Sequence, residues 1–171
     1  MVVITDNPVE VLQQVAGGYC LPRCLHVVAD LGVADALEET PLSADDLATA
    51  VGAEPDALGR ALRLLAAHGV FEMHSETFGH SAASRLLRSD HPQSMRAFAR
   101  MFGLPIFWAT FGVMEHAVRT GLPATTEAFP EGFWDYLAQR PDEGRVFNAA
   151  MTAKAHGAVA GILSRVRLLG L

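Results

Sequence analysis

The sequence predicts a mainly α fold in which a winged-helix-like unit with a small β-hairpin is flanked at both ends by dimerising helices. Three observations predict it. Residues 42–80 read as two short helices followed at once by two short strands. Outside that stretch, apolar residues recur three and four apart, the period of a helix. Half of the 171 residues are hydrophobic and only 19% are charged, more apolar surface than small cores consume, so subunit interfaces are expected to take the excess.

Within the central stretch, Ser43 caps a helix and Asp46, three residues on, answers it as a near capping box. Gly52 ends that helix. Pro55 suits the first turn of the next, which sets Leu58, Leu62 and Leu65 on one face before Gly69 stops it. Val70–His74 and Thr77–His80 then make two strands around Ser75-Glu76.

Before this unit, Asn7 caps and Pro8 opens a first helix with Glu10 in the capping-box position, and Gly17-Gly18 breaks it. Tyr19 to Leu31 carries Leu21, Leu25, Val28 and Leu31 on one side, with Cys24 and Val27 widening the arc. Gly32 ends it, and Val33–Leu37 adds a short helix. So wide an apolar arc predicts packing against another subunit.

After the unit, Ser81–Leu87 makes one or two helical turns and Gln93–Arg100 a helix with Met95, Phe98 and Phe102 on a stripe. Gly103-Leu104-Pro105 interrupts it, and a single helix resumes from Ile106 to Arg119. A loop over Ala124–Pro130 leads to a short aromatic helix, Gly132–Leu137, and Pro141 opens a last long helix to about Ser164. The tail Ser164–Leu171 reads as the start of a strand. The expected organisation is residues 1–40 for dimerising helices, 41–80 for the winged unit, 81–163 for a helical capping and dimerising region, and 164–171 for a truncated linker.

Charge bears on function. The chain has a net charge of −6. Residues 41–80 hold six acidic side chains against Arg60 and Arg63, a balance of −4 where a DNA-binding unit needs a cationic face. Arg85, Arg88, Arg96 and Arg100 keep a DNA-binding transcription regulator as an alternative, although such a series is more often a solvated or salt-bridged face. No apolar run approaches the roughly 20 residues that span a bilayer, and the N-terminus has no basic leader region. Cys20 and Cys24 read as buried thiols of a reducing cytosol, so the expected location is cytoplasmic.

No G-x-G-x-x-G, phosphate loop, H-E-x-x-H or G-x-S-x-G occurs, and the histidines form no metal-ligand spacing. His68 and His74 read as structural. His116 and His156, on two long helices, read either as structural or as reaching a common cavity. The cluster from Met101 to Met114, with Phe102, Phe107, Trp108 and Phe111, has two readings: a core, or an apolar pocket for an aromatic ligand, to which the Gly103–Pro105 kink would give room.

Taken together, the paired apolar helices, the run LRLLAAHGVFE leading into the wing, the kinked aromatic helix and the pair FWDYL and FNAAM resemble the N-terminal dimerisation domain of S-adenosylmethionine-dependent O-methyltransferases, of the plant caffeic-acid and bacterial polyketide-tailoring types. The resemblance runs from about Val9 to Leu163. It implies an obligate homodimer whose helices roof the pocket of a small aromatic acceptor in secondary metabolism. Phe147, Asn148 and Met151 match the family's F-N-x-x-M element, which faces the acceptor, and Phe102, Phe107 and Trp108 fall where the kinked helix lines the same cavity. Tyr19 and Cys20 fall on the early helix that reaches toward the partner's pocket and, with Leu21, Leu25 and Val28, make the expected dimer interface. The family continues into a D-x-G-G-G-x-G loop for S-adenosylmethionine and a Rossmann-like domain, whereas this sequence reads SRVRLLGL and stops. The expectation is therefore no cofactor, metal or catalytic residue in this chain, no methylation by it alone, a separate catalytic domain as a possible partner, and no nucleic acid or membrane. A stand-alone aromatic-ligand module that has lost methyl transfer is a further alternative.

Overall fold

A computed structural model describes the backbone of residues 6–168 and the side chains of residues 6–155. The chain divides into two compact units, the first ending at Arg96 and the second beginning at Ala97.

The first unit begins with α1 (Pro8–Gly17), whose cap is made by Asn7: its Oδ1 accepts from the Val9 amide at 3.0 Å. Next come α2 (Cys20–Leu31) and α3 (Val33–Ala36), hinged at Gly32, whose φ of +75° an L side chain rarely adopts. β1 (Leu42–Ser43) runs directly into α4 (Ala44–Val51). Ser43 Oγ accepts from the Asp46 amide at 3.1 Å and donates to its carboxylate at 2.7 Å. α5 (Pro55–Ala67) is capped by the Glu54 carboxylate, which accepts from the Asp56 and Ala57 amides. β2 (Phe71–His74) and β3 (Thr77–His80) close the hairpin, with Ser75 in the left-handed region at its turn, and α6 (Ala82–Arg85) follows.

The sheet is three-stranded and antiparallel in the order β1-β3-β2, with Leu42 opposite Phe78 and Phe71 opposite His80. Sequence periodicity misses β1 because two residues carry no period. Leu58, Leu62 and Leu65 of α5 are buried as their spacing predicts, in a core with Val28, Val33, Leu37, Leu47, Phe71 and Phe78. The fold class read from the sequence, mainly α with a small β-hairpin, is what the structure shows.

The second unit departs more from expectation. α7 (Arg96–Met101) starts at the boundary, three residues later than the spacing suggests, because Ser94 and Met95 bond back to His91 and Leu86 instead. The single helix expected over Ile106–Arg119 is two, α8 (Pro105–Gly112) and α9 (Met114–Thr120), broken at Val113 where φ is −109° and ψ is 22°. The expected loop over Ala124–Pro130 contains α10 (Ala124–Ala128), and Thr126 Oγ1 donates to the Pro123 carbonyl at its start. α11 (Phe133–Ala138) and α12 (Pro141–Leu168) complete the unit. The predicted strand at Ser164 is thus helix through Leu168, and the rest of that tail lies outside the described residues. Ile106, Tyr136 and Leu137 form the core of this unit, with Leu104, Phe107, Phe129, Phe133 and Phe147 packed against it.

Candidate dimerisation face and aromatic cluster

α1 is amphipathic, yet none of its residues is buried. Val9, Val11, Leu12 and Val15 stand out from it, and Tyr19 at the corner before α2 is 64% exposed. A ten-residue helix gains little from propensity alone, so an apolar stripe is what normally holds it, and here that stripe faces outward. Beside it runs an apolar groove of about 750 Å³, lined by Cys20, Leu21 and Leu25 of α2, Leu64 and His68 at the end of α5, and Val70. His68 Nδ1 lies 2.9 Å from the Leu64 carbonyl, which can only accept; this hydrogen bond to its own helix fixes the ring.

Of the five expected interface residues, Tyr19 and Cys20 are exposed, while Leu21 and Leu25 are half-buried along the groove. Val28 is a correction. It is wholly buried within its own unit's core, because the apolar arc of α2 is wide enough that one edge turns inward against α5. The two thiols are a second correction: Cys20 is exposed and Cys24 half-buried, since the helix end carrying them lies at the groove rather than in the core. Burial, and then the neighbouring Cys20, push the Cys24 thiol above its ordinary pKa.

Three of the four arginines in the row after the hairpin, Arg85, Arg88 and Arg96, are engaged with acids. Arg85 forks onto both oxygens of Glu39 at 2.9 and 2.8 Å, Arg88 onto both of Asp90 at 2.9 and 2.7 Å, and Arg96 onto Asp35 at 2.6 Å. That leaves this row little free charge for a phosphate backbone.

The second unit holds a ladder of rings. Phe98 meets Phe102 with centroids 5.2 Å apart, Phe102 meets Phe107 at 5.6 Å, Phe107 meets Phe133 at 6.1 Å, and Phe133 meets Phe147 at 5.1 Å. Trp134 closes the end against Phe133 and Phe147 at 5.1 and 5.9 Å. Most of these contacts are edge-to-face, the arrangement the ring quadrupoles favour. The ladder thus brings together three of the six expected acceptor-lining residues, Phe102, Phe107 and Phe147. Trp108 and Met151 are half-buried on their helices, and Asn148 is exposed on α12 with its carbonyl accepting from Thr152. Phe133, the ring joining α8 to α12, is absent from the sequence-based set. FWDYL signals an aromatic helix, but nothing in its spacing says which ring turns toward Phe107.

His116 Nδ1 lies 3.6 Å from Glu127, a local contact between α9 and α10. The side chain of His156 lies outside the described residues. Among the described residues no three His, Cys, Asp or Glu side chains gather to hold a metal, and no helix is long and apolar enough to cross a membrane.

Comparison with known proteins agrees with this geometry. Residues 13–90 match the O-methyltransferase dimerisation domain family. The chain is 39% identical over 141 residues to a phenazine O-methyltransferase of Lysobacter antibioticus, covering 82% of this chain and 41% of that protein. It is also 39% identical over 131 residues to an 8-amino-8-demethylriboflavin N,N-dimethyltransferase of Streptomyces davaonensis, covering 74% and 38%. The crystal structure of LaPhzM superposes with a TM-score of 0.84 at 33% identity, over 92% of this chain and 48% of that one. The chain spans about two fifths of the length of the curated relatives it matches. Residues 13–90 of this chain are an O-methyltransferase dimerisation domain.

Proposed function

We propose that this chain is the dimerising and acceptor-capping part of a methyltransferase that acts on a flat aromatic small molecule of secondary metabolism, working as a homodimer in the cytoplasm. The observation that carries the reading is the outward-facing apolar stripe of α1 beside the Leu21–Leu25 groove, at the edge of the matched domain. Such a face is stable in water when a second copy covers it.

The ring ladder supplies the acceptor side. By their names, one relative methylates an oxygen of a phenazine and another a nitrogen of a flavin. What the two acceptors share is a flat fused ring. Phe102, Phe107, Phe147 and the exposed Asn148 are proposed to receive it, with Trp108 and Met151 closing the wall: the phenyl faces stack on it and exclude water, and the amide offers it a polar contact.

S-adenosylmethionine supplies the methyl group in the family, but the described residues do not fit it. The sequence has no glycine-rich strand-to-helix turn, and the sheet is antiparallel with strands of two and four residues, whereas that type of cofactor rests at the end of a parallel strand. Cofactor binding is therefore assigned to residues other than those described. The winged-helix-like unit serves as a rigid spacer, with its leucines inward and its acids in solvent.

Sedimentation equilibrium of the chain tests the reading, with a dimer at micromolar concentration as the expected result and a monomer as the result that overturns it. Calorimetric titration with S-adenosylmethionine should show no binding. Binding to random duplex DNA with a steep salt dependence would favour the regulator instead.

A further inference from the structure

Two free thiols stand one turn apart at the start of α2. Cys20 opens the helix and Cys24 follows four residues on, so both side chains leave the same face. Cys20 is exposed at the edge of the apolar groove, and Cys24 is half-buried. Burial first, and then the charge of Cys20, push the Cys24 thiol up, so the two sulfurs act on each other. Among the described residues no His, Cys, Asp or Glu joins them as a third ligand. That rules against a closed zinc site, which takes four ligands. It leaves the metal geometry that needs only two, a linear thiolate–cation–thiolate unit.

We propose that Cys20 and Cys24 hold one soft monovalent cation, Cu(I), in linear two-sulfur coordination across the first turn of α2. Thiolates select Cu(I) by their softness, and the spacing suits it. Side chains four apart on a helix have Cβ atoms about 5–6 Å apart, too far for a disulfide, whose Cβ atoms lie about 3.8 Å apart. With metal–sulfur bonds of about 2.3 Å, a linear unit sets its sulfurs about 4.6 Å apart, which helical rotamers reach without unwinding the turn. Binding exchanges two S–H protons, released to solvent, for two Cu–S bonds, and the copper keeps its oxidation state. The product carries one negative charge at a helix N-terminus whose cap residue, Tyr19, supplies no side-chain hydrogen bond. The amides of a first turn have no partner within the helix and favour an anion there. Leu21 and Leu25 beside the pair keep its surroundings apolar. Both ligands come from one helix of one chain, so the site stands apart from the dimer reading.

The test titrates the reduced full chain, without oxygen, into the coloured Cu(I) complex of bicinchoninate. The expected result is removal of one Cu(I) per chain, with two sulfur neighbours in X-ray absorption. Cys20→Ser and Cys24→Ser should each weaken binding about a hundredfold or more, since each leaves one ligand where two act together. Circular dichroism should stay that of the parent. His68→Gln, at the histidine that lines the same groove, should bind as the parent does. Affinity that survives the loss of either thiol overturns the inference. So does one Cu(I) per two chains, which would mean a site shared between copies, or a nitrogen neighbour that disappears in His68→Gln. Should Cys24→Ser misfold, alkylation of the parent chain decides. One equivalent of Cu(I) should shield both thiols from iodoacetamide, and a shield on Cys20 alone overturns the pairing.

Discussion

Arg96 closes the end of α2 through Asp35: its Nη1 donates to Asp35 Oδ2 at 2.6 Å while its Nε donates to the Ala29 carbonyl at 2.8 Å and Nη2 to the Asp30 carbonyl at 3.3 Å. One guanidinium thus satisfies carbonyls of the last turn of α2 and neutralises the acid that begins α3. It joins elements more than 60 residues apart in sequence. A cation at this end of a helix also opposes its dipole.

Arg96→Ala should therefore cost about 2 kcal/mol, in the range for charge-assisted hydrogen bonds that are only partly shielded from water. Arg96→Lys should recover less than half, because an ammonium cannot fork across three acceptors. Urea unfolding is the measurement, and the midpoint should fall with the slope unchanged.

His80 makes the first unit sensitive to acid. Its Nε2 lies 2.6 Å from the Leu37 carbonyl, which can only accept, so the proton sits there and Nδ1 is left to accept from Ser84 Oγ at 3.0 Å. Burial, and then the nearby Arg85 and Arg88, hold the imidazole below its ordinary pKa, against the pull of the Leu37 carbonyl and Glu39. The folded state thus prefers the neutral ring. Its contribution is complete above the unfolded value of roughly 6.5 and is lost as pH falls through the lower folded one. The urea midpoint should drop between about pH 7 and pH 5, and the drop should shrink in His80→Gln. Some should remain, because His26 is shifted the same way by burial and by Arg23. A pH dependence identical in the variant would sink the assignment.

The first unit was the more legible in sequence because its punctuation is local. Ser43, Pro55, Gly32 and Gly52 each act within a few residues, and the spacing of Leu58, Leu62 and Leu65 marks them as the buried face. The second unit was legible in composition but not in detail. The break at Val113 is announced only by Gly112, a lone glycine inside an apolar run, and α10 is five residues in a stretch that reads as loop. For the same reason the ring ladder shows in the sequence as a run of aromatics, while the role of Phe133 depends on how α11 turns. Val28 and the two cysteines show the limit on α2. A wide apolar arc fits a helix with more than one apolar neighbour, but does not say which residue meets which.

Gly32 and Gly52 both hold positive φ, at 75° and 69°, yet they should not respond alike to substitution. Gly52→Ala meets open space, so its cost should be the left-handed strain alone, about 1 kcal/mol. At Gly32 the added Cβ would also lie 3.1 Å from Arg96 Nη2 and disturb the guanidinium that closes α2. Gly32→Ala should therefore cost more than Gly52→Ala, and the excess should vanish when Arg96 is already alanine. A double-mutant cycle measures that coupling directly. Additive costs would show that Arg96 yields without loss.

In the second unit, Tyr136 ties α11 to the start of α12. Its hydroxyl donates to Glu143 at 3.1 Å, and the Arg140 guanidinium lies 3.8 Å from its ring centroid. Burial first, then the hydrogen bond to Glu143 and that residue's charge, raise the phenol above its usual pKa. The chain has two tyrosines, so a Tyr19→Phe background reports Tyr136 alone by phenolate absorbance. Glu143→Gln should bring the titration partly back toward the ordinary value and not wholly, since burial is the larger cause. A raised folded pKa means the stabilisation is full below about 10, the unfolded value, and is lost as pH rises toward the folded one. Tyr136→Phe should cost about 1 kcal/mol at neutral pH and remove that alkaline loss. If the variant keeps the full alkaline loss, some other group is responsible and the tie between the two helices is weaker than its geometry implies.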